Sequence, residues 1–394
     1  MRFTKSILLF IVLILLNCLS LFAQQDSLDF PAPQFMLPFY DGYSQNHLNV
    51  EAMGRGFTTC VKSGRVESSI ANPAALGRYK SNLYFEIAIK PPINDVNKSS
   101  ESLLASPIPF GVFGFSGKLY KGINGAISYN VPKSLVYDDF TVEISQGASA
   151  QTWYPSYTLH QFTTTFSGNM GNFNLGLNLH QQLHQFKDII VLQTFDRIDK
   201  TAYAIRVQPG IIYIRGKSRF GATFTPETNV NMDVRNADYD VTLPMKASAG
   251  FSTEYRSYNF LMDMDWEQFS KMDSKFEDRT TIKAGFEKNK RNTTYRLGLM
   301  HMSGVYEGAY RLPIHQSTDP AVLYNWDVIP KGGVIGDTDQ LYVTLGFTYH
   351  FKGGSFSMGA MRDVLGHVPA THLSSSLSFN LDTLKGKRFI IFDK

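Results

Sequence analysis

The chain has 394 residues, with 38 basic and 34 acidic groups, so it is nearly neutral and lacks the basic surplus that nucleic-acid binding needs. Its mean hydropathy is −0.16, and after the first two dozen residues no stretch comes near the ~18 consecutive apolar residues of a membrane-spanning helix. Two cysteines, Cys18 and Cys60, exclude a multi-cysteine metal centre.

Residues 1–23 read as a secretory signal peptide. Arg2 and Lys5 supply the basic start, Ile7 to Leu16 the apolar stretch, and Leu21-Phe22-Ala23 a cleavage site before Gln24. A lipoprotein signal using Cys18 is the alternative, and Asn17 fits it poorly. Removing this leader leaves Cys60 alone, so no disulfide can form within the mature chain.

Residues 24–81 do not alternate. They hold turn formers such as Pro31, Pro33, Gly54, Gly56 and Pro73 and predict an irregular or partly helical segment. A short helix is expected within Val66 to Leu76, broken where Asn72 precedes Pro73.

From residue 82 the pattern changes. In Phe173-Asn174-Leu175-Gly176-Leu177-Asn178-Leu179-His180 every odd position is large and apolar and every even one small or polar. A period of two marks a strand with one apolar and one polar face. Such segments are predicted near 82–90, 109–120, 122–131, 154–167, 172–186, 200–215, 218–226, 245–255, 258–267, 279–288, 293–302, 339–351, 353–361 and 372–381. Their joints alternate between short turns, such as Gly216-Lys217 and Arg256-Ser257, and long loops, such as 132–153, 227–244 and 303–338. Bacterial outer-membrane barrels sort their connections in this way, with the short turns in the periplasm. The predicted fold is therefore all-β: a transmembrane antiparallel β-barrel of about 14 strands over 82–381, an N-terminal hatch or plug over 24–81, and a periplasmic tail over 382–394.

The alternation assigns faces. Phe85, Ile87 and Ile89, Ile123, Ile127 and Tyr129, Leu175, Leu177 and Leu179, and Leu345, Phe347 and Tyr349 are expected to face lipid. Asn178, His180, Gln182, His184, Asp263, Asp265, Glu267, Tyr342, Thr344 and Thr348 are expected in the lumen. A charge on the lipid face costs about 2–4 kcal/mol at mid-depth, which turns Asp263 and Asp265 inward.

Two stretches carry a resemblance. Ala52-Met53-Gly54-Arg55-Gly56-Phe57, followed by Ser69-Ile70-Ala71-Asn72-Pro73-Ala74-Ala75-Leu76-Gly77, resembles the pre-barrel segment of the FadL-type outer-membrane transporters of long-chain fatty acids and other hydrophobic compounds. Ala75 stands where that motif has glycine. Val241 to Met245 and the segment around Trp266 are similar to the same family's Leu-Pro lead into a hairpin. The resemblance implies a hatch inside the barrel, an interior apolar pocket, and sideways release of the ligand into the bilayer. It makes Gly54, Arg55, Gly56, Asn72, Pro73, Ala74 and Leu76 the candidate gating motif, and a hydrophobic small molecule or fatty acid the expected ligand.

The candidate residues also admit plainer readings. Asn72-Pro73-Ala74 is either a moving hatch element or a fixed helix stop. Arg55 either pairs with a lumen acid such as Asp263 or Asp265, or sits in periplasmic water. His180 and His184, about 13 Å apart along one strand, read as polar lining rather than a metal site. Asp138-Asp139 and Asp238 to Asp240 read as solvated loop charge. No nucleophile-and-base spacing or phosphate loop stands out, so neither an enzyme nor a cofactor is expected. The expected surroundings are outer-membrane lipids and lipopolysaccharide, with no nucleic acid. The alternative function is a structural or secretion adaptor of the PorV type, which would bind exported proteins through its extracellular loops.

Overall fold

The computed structural model describes residues 49–62, 66–78, 84–89, 110–120, 122–136, 140–142, 151–153, 156–191, 196–234, 237–272, 276–305, 339–365 and 371–380. The signal-peptide reading, the tail over 382–394, Asp138-Asp139 and most of the 303–338 loop lie outside them.

Two short helices come first, α1 (Val50–Met53) and α2 (Val66–Ala71), then a 3-10 turn over Pro73–Leu76. The strands follow: β1 (Tyr84–Ile89), β2 (Phe110–Tyr120), β3 (Ile123–Val136), β4 (Phe140–Val142), β5 (Gln151–Trp153), β6 (Ser156–Met170), β7 (Phe173–Val191), β8 (Asp196–Arg215) and β9 (Ser218–Thr225). The remainder are β10 (Thr228–Val234), β11 (Ala237–Leu243), β12 (Lys246–Tyr255), β13 (Tyr258–Glu267), β14 (Arg279–Lys290), β15 (Thr293–Met302), β16 (Gln340–Phe351), β17 (Gly354–Asp363) and β18 (Thr371–Asn380).

Fourteen of these strands form one closed antiparallel barrel. Closure is made by β1, whose Phe85 is paired with Phe115 of β2 on one side and Phe379 of β18 on the other. A closed ladder leaves no free edge, the condition a sheet must meet to stand in hydrocarbon. All fourteen predicted strands are present. The alternation did not reveal two small hairpins, β4–β5 and β10–β11, which arise within the long connections 132–153 and 227–244.

The short turns share a backbone device. Gly122, Gly171, Gly216 and Gly353 take positive φ, and so do Arg256 and Arg291. A two-residue hairpin needs this left-handed geometry to match the twist of its strands, and glycine reaches it without a steric penalty. Two strands run further into their expected joints: β6 continues through Met170 to turn at Gly171, and β14 through Lys290 to turn at Arg291.

The faces follow the alternation. Ile127 is 66% exposed and Leu345 58%, whereas Thr344 and Thr348 are fully buried. Leu175, Leu177 and Tyr349 are outward too, and Asn178, His180, Gln182, His184, Asp263, Asp265 and Tyr342 inward. Aromatic rings meet along the outer wall, for example Phe220 with Phe251 at 5.1 Å and Phe173 with Tyr213 at 4.8 Å between centroids. Exposed apolar side chains beside a buried polar lining reverse the usual order of a protein in water and suit a wall facing lipid.

Candidate lumen gate

Residues 49–62 and 66–78 pack against the inward face of the barrel. Asn49 caps α1 by accepting from the Ala52 amide at 2.6 Å. The chain then reverses at Gly56 and Phe57, both with positive φ, and the Phe57 amide returns to the Ala52 carbonyl at 2.7 Å. Thr344 of β16 accepts from the Gly56 amide at 2.9 Å.

Asn72 ends α2 and starts the next turn. Its backbone is extended, its Oδ1 accepts from the Ala74 amide at 3.0 Å, and Pro73 takes the first helical position, where its missing N–H costs nothing. Asn72 Nδ2 donates to the Cys60 carbonyl, so this one buried side chain joins the two halves of the segment. The helix stop expected from the sequence is therefore present, and it is wedged against the wall.

What lets the segment lie so close is a belt of inward glycines. Gly285 pairs with Gly298, Gly346 with Gly359, Gly221 with Gly250, and Gly176 with Gly210, each couple directly across neighbouring strands. A Cβ at Gly346 would sit 2.6 Å from the Gly54 Cα, and one at Gly359 2.7 Å from the Val50 carbonyl oxygen. Gly298 would strike Gly56, Gly285 would strike Arg55, and Gly176 would strike Pro73 and Ala74. Real Cβ atoms essentially never come under 3.0 Å of such neighbours. The wall thus forms a seat for backbone. The alternation placed these glycines inward, but nothing local in the sequence distinguished a seat from ordinary small lining.

Arg55 pairs with a lumen acid, but with neither of the two named from the sequence. Its Nη1 lies 3.3 Å from Glu287 Oε1 on β14, and its Nε donates to the Thr58 carbonyl at 2.8 Å. Glu287 also meets Lys62 and, at 2.9 Å, the Nε of Arg296, which in turn reaches Glu51 at 3.2 Å. Asn259 donates to the second Glu287 oxygen at 3.2 Å. Asp263 instead accepts from the backbone amides of Thr59 and Cys60, and Asp265 is held by Lys283 and Lys246. Burial, with Asp263 and Asp265 nearby, pushes the Cys60 thiol well above the usual range.

The other end of the segment meets amides. Asn178 donates to the Ser69 carbonyl at 2.8 Å, Gln208 to that of Ala71 at 3.2 Å, and Asn124 to that of Leu76 at 2.6 Å. Ala74 and Ala75 pack on Ile212 and Ile214. His180 touches Thr163 at 2.8 Å and Gln208 at 3.1 Å, and His184 touches Tyr157 at 2.9 Å, so both are tied into the polar lining.

The lumen wall is not uniform. Met300, Tyr342 and Met361 gather with Met53 and Phe57 of the inner segment into one apolar cluster. Elsewhere the inward face carries Arg206, Lys246, Arg279 and Lys283 alongside Asp265 and Glu267. Sequence alternation could place Met300, Tyr342 and Met361 inward, but only the barrel brings them together.

No family model matches the chain, and no curated protein sequence does. Solved structures do. The toluene transporter TodX of Pseudomonas putida superposes with a TM-score of 0.58 at 11% identity, over 86% of this chain and 98% of that one. The toluene transporter TbuX of Ralstonia pickettii gives 0.56 at 11% identity, over 86% and 98%. At such identities the likeness is one of fold, and it extends over nearly all of both relatives. The chain has the barrel fold of the FadL-family toluene transporters.

Proposed function

We propose that this protein is an outer-membrane channel for passive uptake of hydrophobic small molecules, and that the segment 24–81 is its hatch. The observation that carries the reading is the apolar cluster of Met300, Tyr342 and Met361 against Met53 and Phe57 of the inner segment. An apolar ligand gains about 0.8 kcal/mol for each CH₂ it removes from water, so it has reason to leave the outer surface for such a cluster. The methionines add a surface that adapts to differing ligand shapes. The structural neighbours TodX and TbuX are toluene transporters, which points the same way.

A fatty-acid-like ligand is the finer form of the proposal. Arg206, Lys246, Arg279 and Lys283 lie on the lining beside Asp265 and Glu267, and cations there offer an acidic head group a place to bind. Gly54, Arg55 and Gly56, with Asn72, Pro73, Ala74 and Leu76, are the proposed gating residues. Each touches the wall or another part of the segment. A sideways exit is proposed where a ladder is irregular: among the register shifts is one in β3–β6 between Asn130 and Lys133, where β3 has an additional residue against its partner.

Gentle extraction and mass spectrometry of co-purifying lipophiles test the reading, with an unrelated barrel as control. A fatty acid or hydrocarbon present only with this barrel is the expected result. Its repeated absence shifts the reading to a secretion adaptor, which the hairpins β4–β5 and β10–β11 favour because they give two long connections folded structure of their own.

A further inference from the structure

The inner segment is held in two chemically different ways. Residues 50–62 are fixed by charge: Glu51, Arg55 and Lys62 engage Glu287 and Arg296, and Asp263 grips the Thr59 and Cys60 amides. Toward residues 66–77 the wall instead extends three neutral amides, Asn124, Asn178 and Gln208. Glu67 is the one carboxylate on this second limb. Asn72 bonds back to the Cys60 carbonyl and joins the limbs, and Val50, Ile70 and Val112 pack together where they meet.

We propose that the segment opens as two limbs, with 50–62 as a fixed anchor, 66–77 as the moving part and Asn72 as the pin between them. The inference rests on the reading that this segment gates the lumen. Separating the first limb takes Arg55 and Lys62 from Glu287, Glu51 from Arg296 and two amides from Asp263 at once, so that Glu287 and Arg296 retain only each other as charged partners, and breaking buried ion pairs in a confined space is costly. Separating the second limb exposes amides, carbonyls and the Glu67 carboxylate, which water satisfies as it enters. The opening therefore lies beside β2, β3, β6, β7 and β8, while the wall from β13 to β17 stays covered. A solute then passes between the apolar cluster anchored on Met53 and the amide-lined side that the second limb has left.

Hydrogen exchange read by mass spectrometry on the full barrel in lipid nanodiscs tests this directly. Peptides covering 66–77 are expected to exchange about tenfold or more faster than those covering 50–62 in the same molecules. Gln208→Ala should speed the second limb and leave the first unchanged, with Asn124→Ala as the alternative variant if that barrel does not fold. Glu287→Gln should bring the first limb toward the rate of the second. Equal rates in the unaltered protein, or faster exchange over 50–62, overturn the proposal. Uptake of the hydrophobic dye N-phenylnaphthylamine by cells carrying the same variants is read separately. If no variant exceeds cells lacking the barrel, the transport reading fails, while the exchange pattern still decides the two-limb proposal.

Discussion

Arg55 and Glu287 meet at 3.3 Å with each side chain only 1% exposed, although 232 residues separate them along the chain. The pair joins the inner segment to the barrel wall, and Lys62 and Arg296 share the same carboxylate. Three cations around one carboxylate, with Glu51 as the second acid, make Glu287 the residue on which this attachment turns.

Glu287→Gln should therefore loosen the segment more than the barrel. Removing one partner of a buried ion pair typically costs about 3–5 kcal/mol, because the remaining charge stays buried. The expected result is a barrel that still shows heat-modifiable migration on gels but has raised single-channel conductance in planar bilayers. Conductance equal to that of the unaltered protein would show that the ion pair does not hold the lumen closed.

The glycine seat gives a second, steric test. Gly298→Ala puts a methyl group into Gly56, backbone against backbone, and Gly346→Ala does the same at Gly54. Overpacking of this kind costs about 1–3 kcal/mol or more, and only displacement of the segment relieves it. Gly168→Ala is the control, since the nearest atom to its new methyl group is 3.6 Å away. Sensitivity to a bulky antibiotic excluded by intact outer membranes should rise with the first two and not with the third.

The apolar cluster gives a third. Met300→Glu and Met361→Asp each place an acid in the apolar cluster with Met53, Phe57 and Tyr342. Hydrophobic uptake is expected to fall about tenfold, whereas Met300→Leu, which conserves volume, should leave it within about twofold. Dye-uptake rates normalised to folded barrel distinguish the two outcomes. Equal loss in all three would point to folding rather than ligand contact.

Cys60 reports on the segment without any mutation. Its thiol is buried, and its pKa is raised chiefly by that burial and then by Asp263. In the unfolded chain it ionises near the ordinary value of about 8.5. The folded state thus keeps a proton that the unfolded state releases. This contribution to stability is complete below about pH 8.5 and is lost progressively as pH rises above it. Maleimide should label Cys60 slowly in the folded barrel, with little acceleration between about pH 7 and 8.5, and rapidly in denaturant. Rapid labelling of the folded barrel would contradict a seated segment.

Much of this molecule is legible in the amino-acid sequence alone. The alternation from Phe173 to His180 is local: each residue's face depends only on its neighbours and the pleat, so strand after strand can be placed and oriented. The order of short turns and long loops is equally local, and the expected orientation rests on it. The helix stop at Asn72-Pro73 rests on a steric rule between adjacent residues. Closure through Phe85, the choice of Glu287 over Asp263 and Asp265 for Arg55, and the pairing of Gly285 with Gly298 beneath the Arg55–Gly56 backbone were decided only by tertiary structure. These depend on the register of strands around a closed ring and on which residues then reach the same height in the lumen. Periodicity in a linear chain carries the face a residue takes, but not the partner it meets across the barrel.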